Sequence, residues 1–330
     1  MEWTGSLQDS ADVCLYSDSS DCTVRDNLLI GGGWHGVLVQ SPSASTTCRR
    51  HSIINNRIGA HSAYGIAAYN IAPDNAGHLI GGNYIQDIGG INPNGCGGAG
   101  IYLKAIGGNV VSDNHIKNCC TSTISLSTLA PAGIGQNGVN TSDGLITNII
   151  TGNVISGMAQ GNGIFIVSST SGAVIYGNAV SLTNDGGIPI FIKSSSNVMM
   201  SGNSVRHLTS FASDGVLIYA DGIDIFNIQA SGNSIRNTGY AGMRVVSSGS
   251  WHISGISLFG NTISDQGAAS IPVRLDHCIG ATVTANTVSS QGAYVMSVNE
   301  TTAARVTANV MTSTGASPVL VTNSTGVVIQ

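Results

Sequence analysis

The chain has 330 residues, a net charge of −5 and 9% charged residues, against about 25% in an average soluble protein. Glutamate occurs only at Glu2 and Glu300, which excludes the Glu/Lys-rich coiled coils and helical arrays. With 42% hydrophobic residues the composition is not that of a disordered chain. Apolar runs such as Gly163–Val167 are far too short to span a membrane, and an isoelectric point of 5.8 speaks against nucleic acid as a partner.

The first residues, Met1-Glu2-Trp3-Thr4-Gly5, carry neither a basic nor an apolar stretch, so no signal peptide is expected. The seven cysteines make no paired CxxC pattern. They read as buried thiols in a reducing compartment, with a Cys14–Cys22 disulfide as the alternative.

One short pattern recurs along the chain: a turn residue, Asn, any residue, an aliphatic. It begins as Asp26-Asn27, Asn55-Asn56, Gly82-Asn83, Asp113-Asn114 and Gly152-Asn153. It continues as Gly177-Asn178, Gly202-Asn203, Gly232-Asn233, Gly260-Asn261, Ala285-Asn286 and Ala308-Asn309. Successive asparagines lie 23 to 39 residues apart, the signature of a repeat architecture. Between marks lie three short aliphatic segments bounded by Gly, Ser or Asn. After Asn153 they are Val154-Ile155, Ile164–Val167 and Ala173–Tyr176. Such segments signal strands, and Gly interrupts every helical window.

Three strands in about 25 residues, repeated in register, predict a single-stranded right-handed parallel β-helix of about 12 coils, all-β, one domain over residues 1–330. The asparagines then stack coil upon coil as a structural ladder. The Gly, Asp or Asn before each supplies the left-handed backbone of the turn. The last residues, Val327–Gln330, stop within a strand, and solenoid ends are normally capped. The expectation is a chain trimmed from a longer one, with ends covered by other chains as the alternative.

The repeated Gly-Asn-x-Ile with Gly-Ile-x-Ile strands resembles the pectin-lyase-like right-handed β-helix superfamily. The low-Lys, low-Glu, Ser/Thr/Gly/Asn-rich texture is similar to that of bacteriophage tailspike depolymerases. Polygalacturonase signatures and the epimerase signature Asp-Pro-His-Asp are absent; Trp34-His35-Gly36 is the nearest and does not match. The resemblance implies a homotrimer on the virion tail that cleaves bacterial capsule or O-antigen polysaccharide.

Alternation on the middle strand of each coil gives two outward columns. The first reads Leu38, Ala67, Tyr102, Phe165, Phe191, Leu217, Arg244, Arg274; the second reads Gln40, Tyr69, Lys104, Val167, Lys193, Tyr219, Val246. Aromatics interleaved with cations read either as a carbohydrate groove, rings stacking on sugars and cations pairing with uronate- or sialate-like acids, or as a protomer interface. Tyr69, Tyr102, Lys104, Phe165, Phe191, Lys193, Tyr219, Arg244 and Arg274 are the candidate substrate-binding residues. Two loops flank the face: Thr128–Ser142, after a middle strand expected at Ile124–Ser127, and Ile88–Gly98.

Glycoside hydrolysis commonly needs two carboxylates, about 5–5.5 Å apart for retention or 6.5–9.5 Å for inversion. The leading set is Asp221 and Asp224, with Asp221 expected beside Lys193 one coil back; their spacing is similar to paired aspartates of some tailspike endoglycosidases. The second set is Asp185 and Asp214, before the middle strands of adjacent coils, and Asp143 is a third candidate. Turn chemistry places aspartate at the same Asp-Gly positions. A lyase would instead use Lys193, Arg244 and His207. The other histidines are scattered, no metal site or cofactor is expected, and a non-catalytic glycan-binding rod is the remaining alternative.

Overall fold

A computed structural model describes residues 10–330 except 32, 42–45, 47, 71–76, 90–97, 105–106, 120–131, 138–146, 159–160, 168–171, 184–186, 209–212, 265–270 and 314–317. The described strands are all parallel and fall into three sheets of 12, 13 and 11 strands. The chain visits the sheets in rotation. A representative coil runs Asn162–Val167 in the front sheet, Ala173–Tyr176 in the second and Ala179–Leu182 in the third. Like strands of successive coils pair in register: Ile164, Ile190, Val216, Met243 and Val273 form one inward column. With right-handed connections between parallel strands, this is the right-handed parallel β-helix that the repeat predicts, and no described residue is helical.

One strand is not where the sequence put it. In the long coil the front-sheet strand is Ala132–Asn137, paired with Ala99–Lys104 and Asn162–Val167, and the expected Ile124–Ser127 lies outside the described residues. Ala-Gly-Ile-Gly-Gln-Asn has the composition of a turn, and the ladders of its two neighbours hold it extended. The rest of the Thr128–Ser142 and Ile88–Gly98 loops lies largely outside the described residues, as do Asp143 and Asp185.

Inside the coils one continuous core, mostly Ile, Val, Leu and Ala with a few Cys and Met, is buried from Val24 to Val306. Beside it runs the asparagine ladder. From Asn27 to Asn309 each side-chain amide donates to the next coil's Asn Oδ1 at 2.9–3.0 Å. The same oxygen also accepts a backbone N–H, as Asn178 Oδ1 does from Asn153 at 3.0 Å. These satisfied amides let a polar column sit in the interior. The residue before each ladder Asn is left-handed whatever its type: Asp26 (φ 58), Asn55 (56), Gly152 (64), Ala285 (56), Ala308 (53).

A second, shorter ladder lies at the turn from the front sheet to the second. Cys22 N–H donates to His51 Nδ1 and His51 N–H to His78 Nδ1, both at 3.2 Å; His78 N–H donates to Asn109 Oδ1 at 2.9 Å. The two imidazoles stack with centroids 5.2 Å apart. An Nδ1 that accepts must be unprotonated, and burial accordingly pushes His78 down to about 4. No disulfide joins Cys14 to Cys22.

Two predictions follow from the ladders. Asn153→Ala removes its donations to Val111, Thr151 and Asn178 and strands two donors of Asn114. A loss of about 3 kcal/mol in denaturant unfolding is expected, and a loss below about 1 kcal/mol would show that the ladder contributes little. Ala285→Gly relieves a left-handed alanine and should raise stability by about 0.5–1 kcal/mol; a lower melting temperature would contradict it.

Candidate functional site

The front-sheet register reproduces both outward columns. Leu38, Ala67, Tyr102, Phe165, Phe191, Leu217, Arg244 and Arg274 align in one, with Gly135 between Tyr102 and Phe165. Gln40, Tyr69, Lys104, Val167, Lys193, Tyr219 and Val246 align in the other, which gains Asn137 and Asp276. The face is not, however, open throughout. Tyr102 is 4% exposed and packs with Leu38, Tyr64 and Ala67; Phe165 is 3% exposed and packs on Val167 and Phe191. Lys104 is exposed, and the side chain of Tyr69 lies outside the described residues. The accessible, charged part of the face runs from Phe191 to Asp276.

Two clusters occupy it, at opposite ends of the strand Val216–Ala220. At the far end Lys193 Nζ lies 2.9 Å from Asp221 Oδ2 and 5.9 Å from the Tyr219 ring centroid. The Lys193 ammonium donates to Asp221 and, with the Ser248 hydroxyl at 3.2 Å, holds its carboxyl below the usual carboxylate range. Asp224 is exposed, and its Oδ1 accepts the His252 backbone N–H at 2.7 Å. Both are surface carboxylates in ordinary turn partnerships, and Asp221 sits beside Lys193 as its column position implied.

The near end differs in kind. Asp214, immediately before the strand, has a side chain 7% exposed, with Oδ2 3.7 Å from Arg244 Nη1. Its Oδ1 is buried with no hydrogen-bond partner. Burial pushes its carboxyl from 3.8 up to about 6, against the opposing pull of Arg244 and Arg274. His207, also buried, places Nε2 3.5 Å from the Asp214 carbonyl oxygen; burial lowers its pKa.

Arg244 and Arg274 stack one coil apart in the same column. Two like charges at about 5 Å repel by about 3 kcal/mol at an effective dielectric of 20. Their neighbours offset this. Both guanidiniums lie over the Tyr240 ring, at 5.2 and 5.1 Å from its centroid, and Arg274 donates to the Tyr240 hydroxyl. Asp276 accepts from Arg274 Nη2 at 3.4 Å. Tyr240 and Asp276 were not foreseen from sequence. Tyr240 sits in a turn, outside the alternation that reveals strand faces, and Asp276 follows the last residue to which the second column was extended.

The two clusters cannot flank one glycosidic bond. Seven residues of extended chain separate Asp214 from Asp221, about 23 Å at about 3.3 Å per residue, beyond the about 9.5 Å reach of an inverting pair. For the pair Asp185 and Asp214, the register that aligns Ile190 with Val216 sets Ile188 one coil before Asp214, three residues past Asp185.

No curated protein matches the sequence. The family described as "Periplasmic copper-binding protein (NosD)" matches residues 6–142, less than half of the chain. Among solved structures, the A-module of the Azotobacter vinelandii mannuronan C-5 epimerase AlgE4 is similar at 16% identity, with TM-score 0.55, over 94% of this chain and 75% of that one. The Dettilon tailspike protein is similar at 15% identity, with TM-score 0.56, over 92% of this chain and 61% of the tailspike. At such identities the likeness is one of fold, that of a right-handed parallel β-helix. The described residues of the matched segment do not assemble a copper site. The Nδ1 atoms of His51 and His78 are taken by backbone N–H groups, and Cys48 donates its thiol to the Ser17 carbonyl at 2.8 Å. Among the described residues no three His, Cys, Asp or Glu side chains converge on a metal position.

The raised Asp214 carboxyl makes stability depend on pH with a definite sign. A carboxyl whose folded pKa lies above its unfolded value stabilises fully at low pH, and that contribution is lost as pH rises through about 6. Asp214→Asn should therefore gain on the wild type by on the order of 3 kcal/mol between about pH 4 and about pH 7. Denaturant unfolding across that range checks it; a pH-independent difference would show that Asp214 ionises normally.

Proposed function

We propose that the chain is the β-helical body of a carbohydrate-active protein of the tailspike type, which cleaves bacterial capsule or O-antigen polysaccharide on its front face by glycoside hydrolysis, with Asp214 as the general acid. One observation carries the proposal. Asp214 is a buried carboxyl beside two guanidiniums that keeps a proton close to neutral pH, the property required of a group that protonates a departing glycosidic oxygen. Asp221, held ionised by Lys193, has the opposite property, and with Asp224 and Tyr219 it suits a flanking subsite better than proton donation. Asp185, outside the described residues, is the second carboxylate that the sequence offers for the same site.

The fold neighbours support the carbohydrate class: one is named for mannuronan epimerisation and another is a tailspike. A virion-tail location and a homotrimer belong to the same proposal. Exposed Leu79, Ile149 and Met199 stand in one outward column of the second sheet, where a subunit contact would fit. A second chemistry, β-elimination by a lyase, is favoured by one feature: paired Arg244 and Arg274 would neutralise a uronate carboxylate, with His207 rather than the more distant Lys193 as base.

The test is incubation with capsular and O-antigen polysaccharides, following reducing ends and absorbance at 235 nm. Reducing ends without absorbance are expected, with activity falling as pH rises above about 6. Asp214→Asn should lower the rate at least ~100-fold while retaining a cooperative melt. Absorbance rising with the reducing ends would move the chemistry to elimination; cleavage undiminished in Asp214→Asn would remove Asp214 from it.

A further inference from the structure

Arg244 and Arg274 have more hydrogen-bonding capacity than the fold uses. The Nε–H of each is buried and has no partner, although the two side chains are 26% and 24% exposed. Asp214 Oδ1, in a side chain 7% exposed, is also without a partner in the same cluster. Buried donors of this kind are rarely left unmet, because each forfeits its hydration. The charges are also incomplete. Two guanidiniums face Asp276, which Arg274 already binds, and Asp214, which burial keeps from being a full anion. Tyr240 fixes both guanidiniums through its ring and cannot neutralise them.

We propose that Arg244 and Arg274 form a subsite for the carboxylate of an acidic sugar, clamped by the two guanidiniums, with Tyr240 as the residue that positions both arginines. A carboxylate supplies what the cluster lacks: a planar anion with acceptors for two forks stacked about 5 Å apart. Arginine suits this role because its fork matches a carboxylate, whereas a lysine in the same column would offer only a point charge. The inference deepens the proposed function by naming a substrate class for the same site, and it rests on that reading only for the polymer to which the acid sugar belongs.

The probes are glucuronate, galacturonate, mannuronate and N-acetylneuraminate, each against its neutral counterpart, glucose, galactose, mannose or N-acetylmannosamine. The first readout is the melting temperature at pH 6. At least one acid sugar should raise Tm above its neutral counterpart, and the increment should shrink in high salt and vanish in Arg274→Gln and Arg244→Gln. Because either variant could lose its fold, a second readout uses the wild type alone. The same acid sugar should slow phenylglyoxal modification of Arg244 and Arg274, but not of exposed Arg206 and Arg236. No Tm increment for any acid sugar, or modification of Arg244 and Arg274 unchanged by it, overturns the subsite. Its failure is distinguishable from failure of the proposed function. Acid-sugar binding with no glycan cleavage would sink the depolymerase and keep the subsite; cleavage of a neutral glycan with no acid-sugar binding would do the reverse.

Discussion

Coil-to-coil register is the constraint on which everything else in this protein depends. Parallel pairing sets each residue directly above its counterpart about 4.8 Å away, so every position becomes a column. The interior must then solve two problems at once. Apolar columns do so with Ile, Val and Met, as from Val37 to Val273. The turns do so with amides, because an asparagine stacked on an asparagine offers donor to acceptor along the whole rod. Register and ladder reinforce each other: a slip in one coil would break both the strand pairing and the amide chain.

The same constraint creates the chemistry on the front face. Stacking at fixed spacing forces Arg244 onto Arg274, an arrangement that two surface cations free to move would avoid. The structure offsets the repulsion with the Tyr240 ring, the Asp276 carboxylate and a buried Asp214, and so concentrates four ionisable groups and an aromatic within three coils. Asp214 reveals the balance of forces. Two nearby guanidiniums should depress its pKa, yet it rises, so desolvation outweighs them. Asp221 meets one ammonium in solvent and shifts the other way. Two aspartates flanking one strand are thus shifted in opposite directions, one raised by burial and the other lowered by the Lys193 ammonium.

Much of the fold was legible because its signals are local and repeated. The left-handed residue before each ladder Asn needs only its own neighbours, so Asp26-Asn27 and Ala308-Asn309 declare the same turn. The outward columns were readable by alternation, and the Lys193–Asp221 contact followed from them. What failed depended on tertiary context. Ala132–Asn137 is a strand because its neighbours pair with it, against its own composition. Tyr102 and Phe165 were expected on an open face and are covered, since alternation gives direction but not what lies above. His51 and His78 appeared scattered in sequence and are ladder members, because a spacing of 27 residues is one coil. Tyr240 had no signal at all: a turn tyrosine becomes significant only when two arginines from later strands close over it.

The covering of the first half of the face bears on where a long glycan could lie. From Leu38 to Tyr102 the outward column closes on itself as an apolar cluster, and Phe165, Val167 and Phe191 extend that closure. Beyond Phe191 the same two columns turn polar: Lys193, Tyr219, Arg244, Arg274 and Asp276. An apolar outward column that packs on itself adds stiffness without offering hydrogen bonds, whereas the polar half keeps unmet donors near solvent. A rod of uniform coils therefore acquires a direction along its front face, with its charge clusters and the unmet arginine donors lying in the coils between Phe191 and Asp276. A glycan lying along the solenoid axis would meet the phenylalanine edge at one end and the arginine pair at the other. On the proposed function, the bond to be broken would then lie near Asp214.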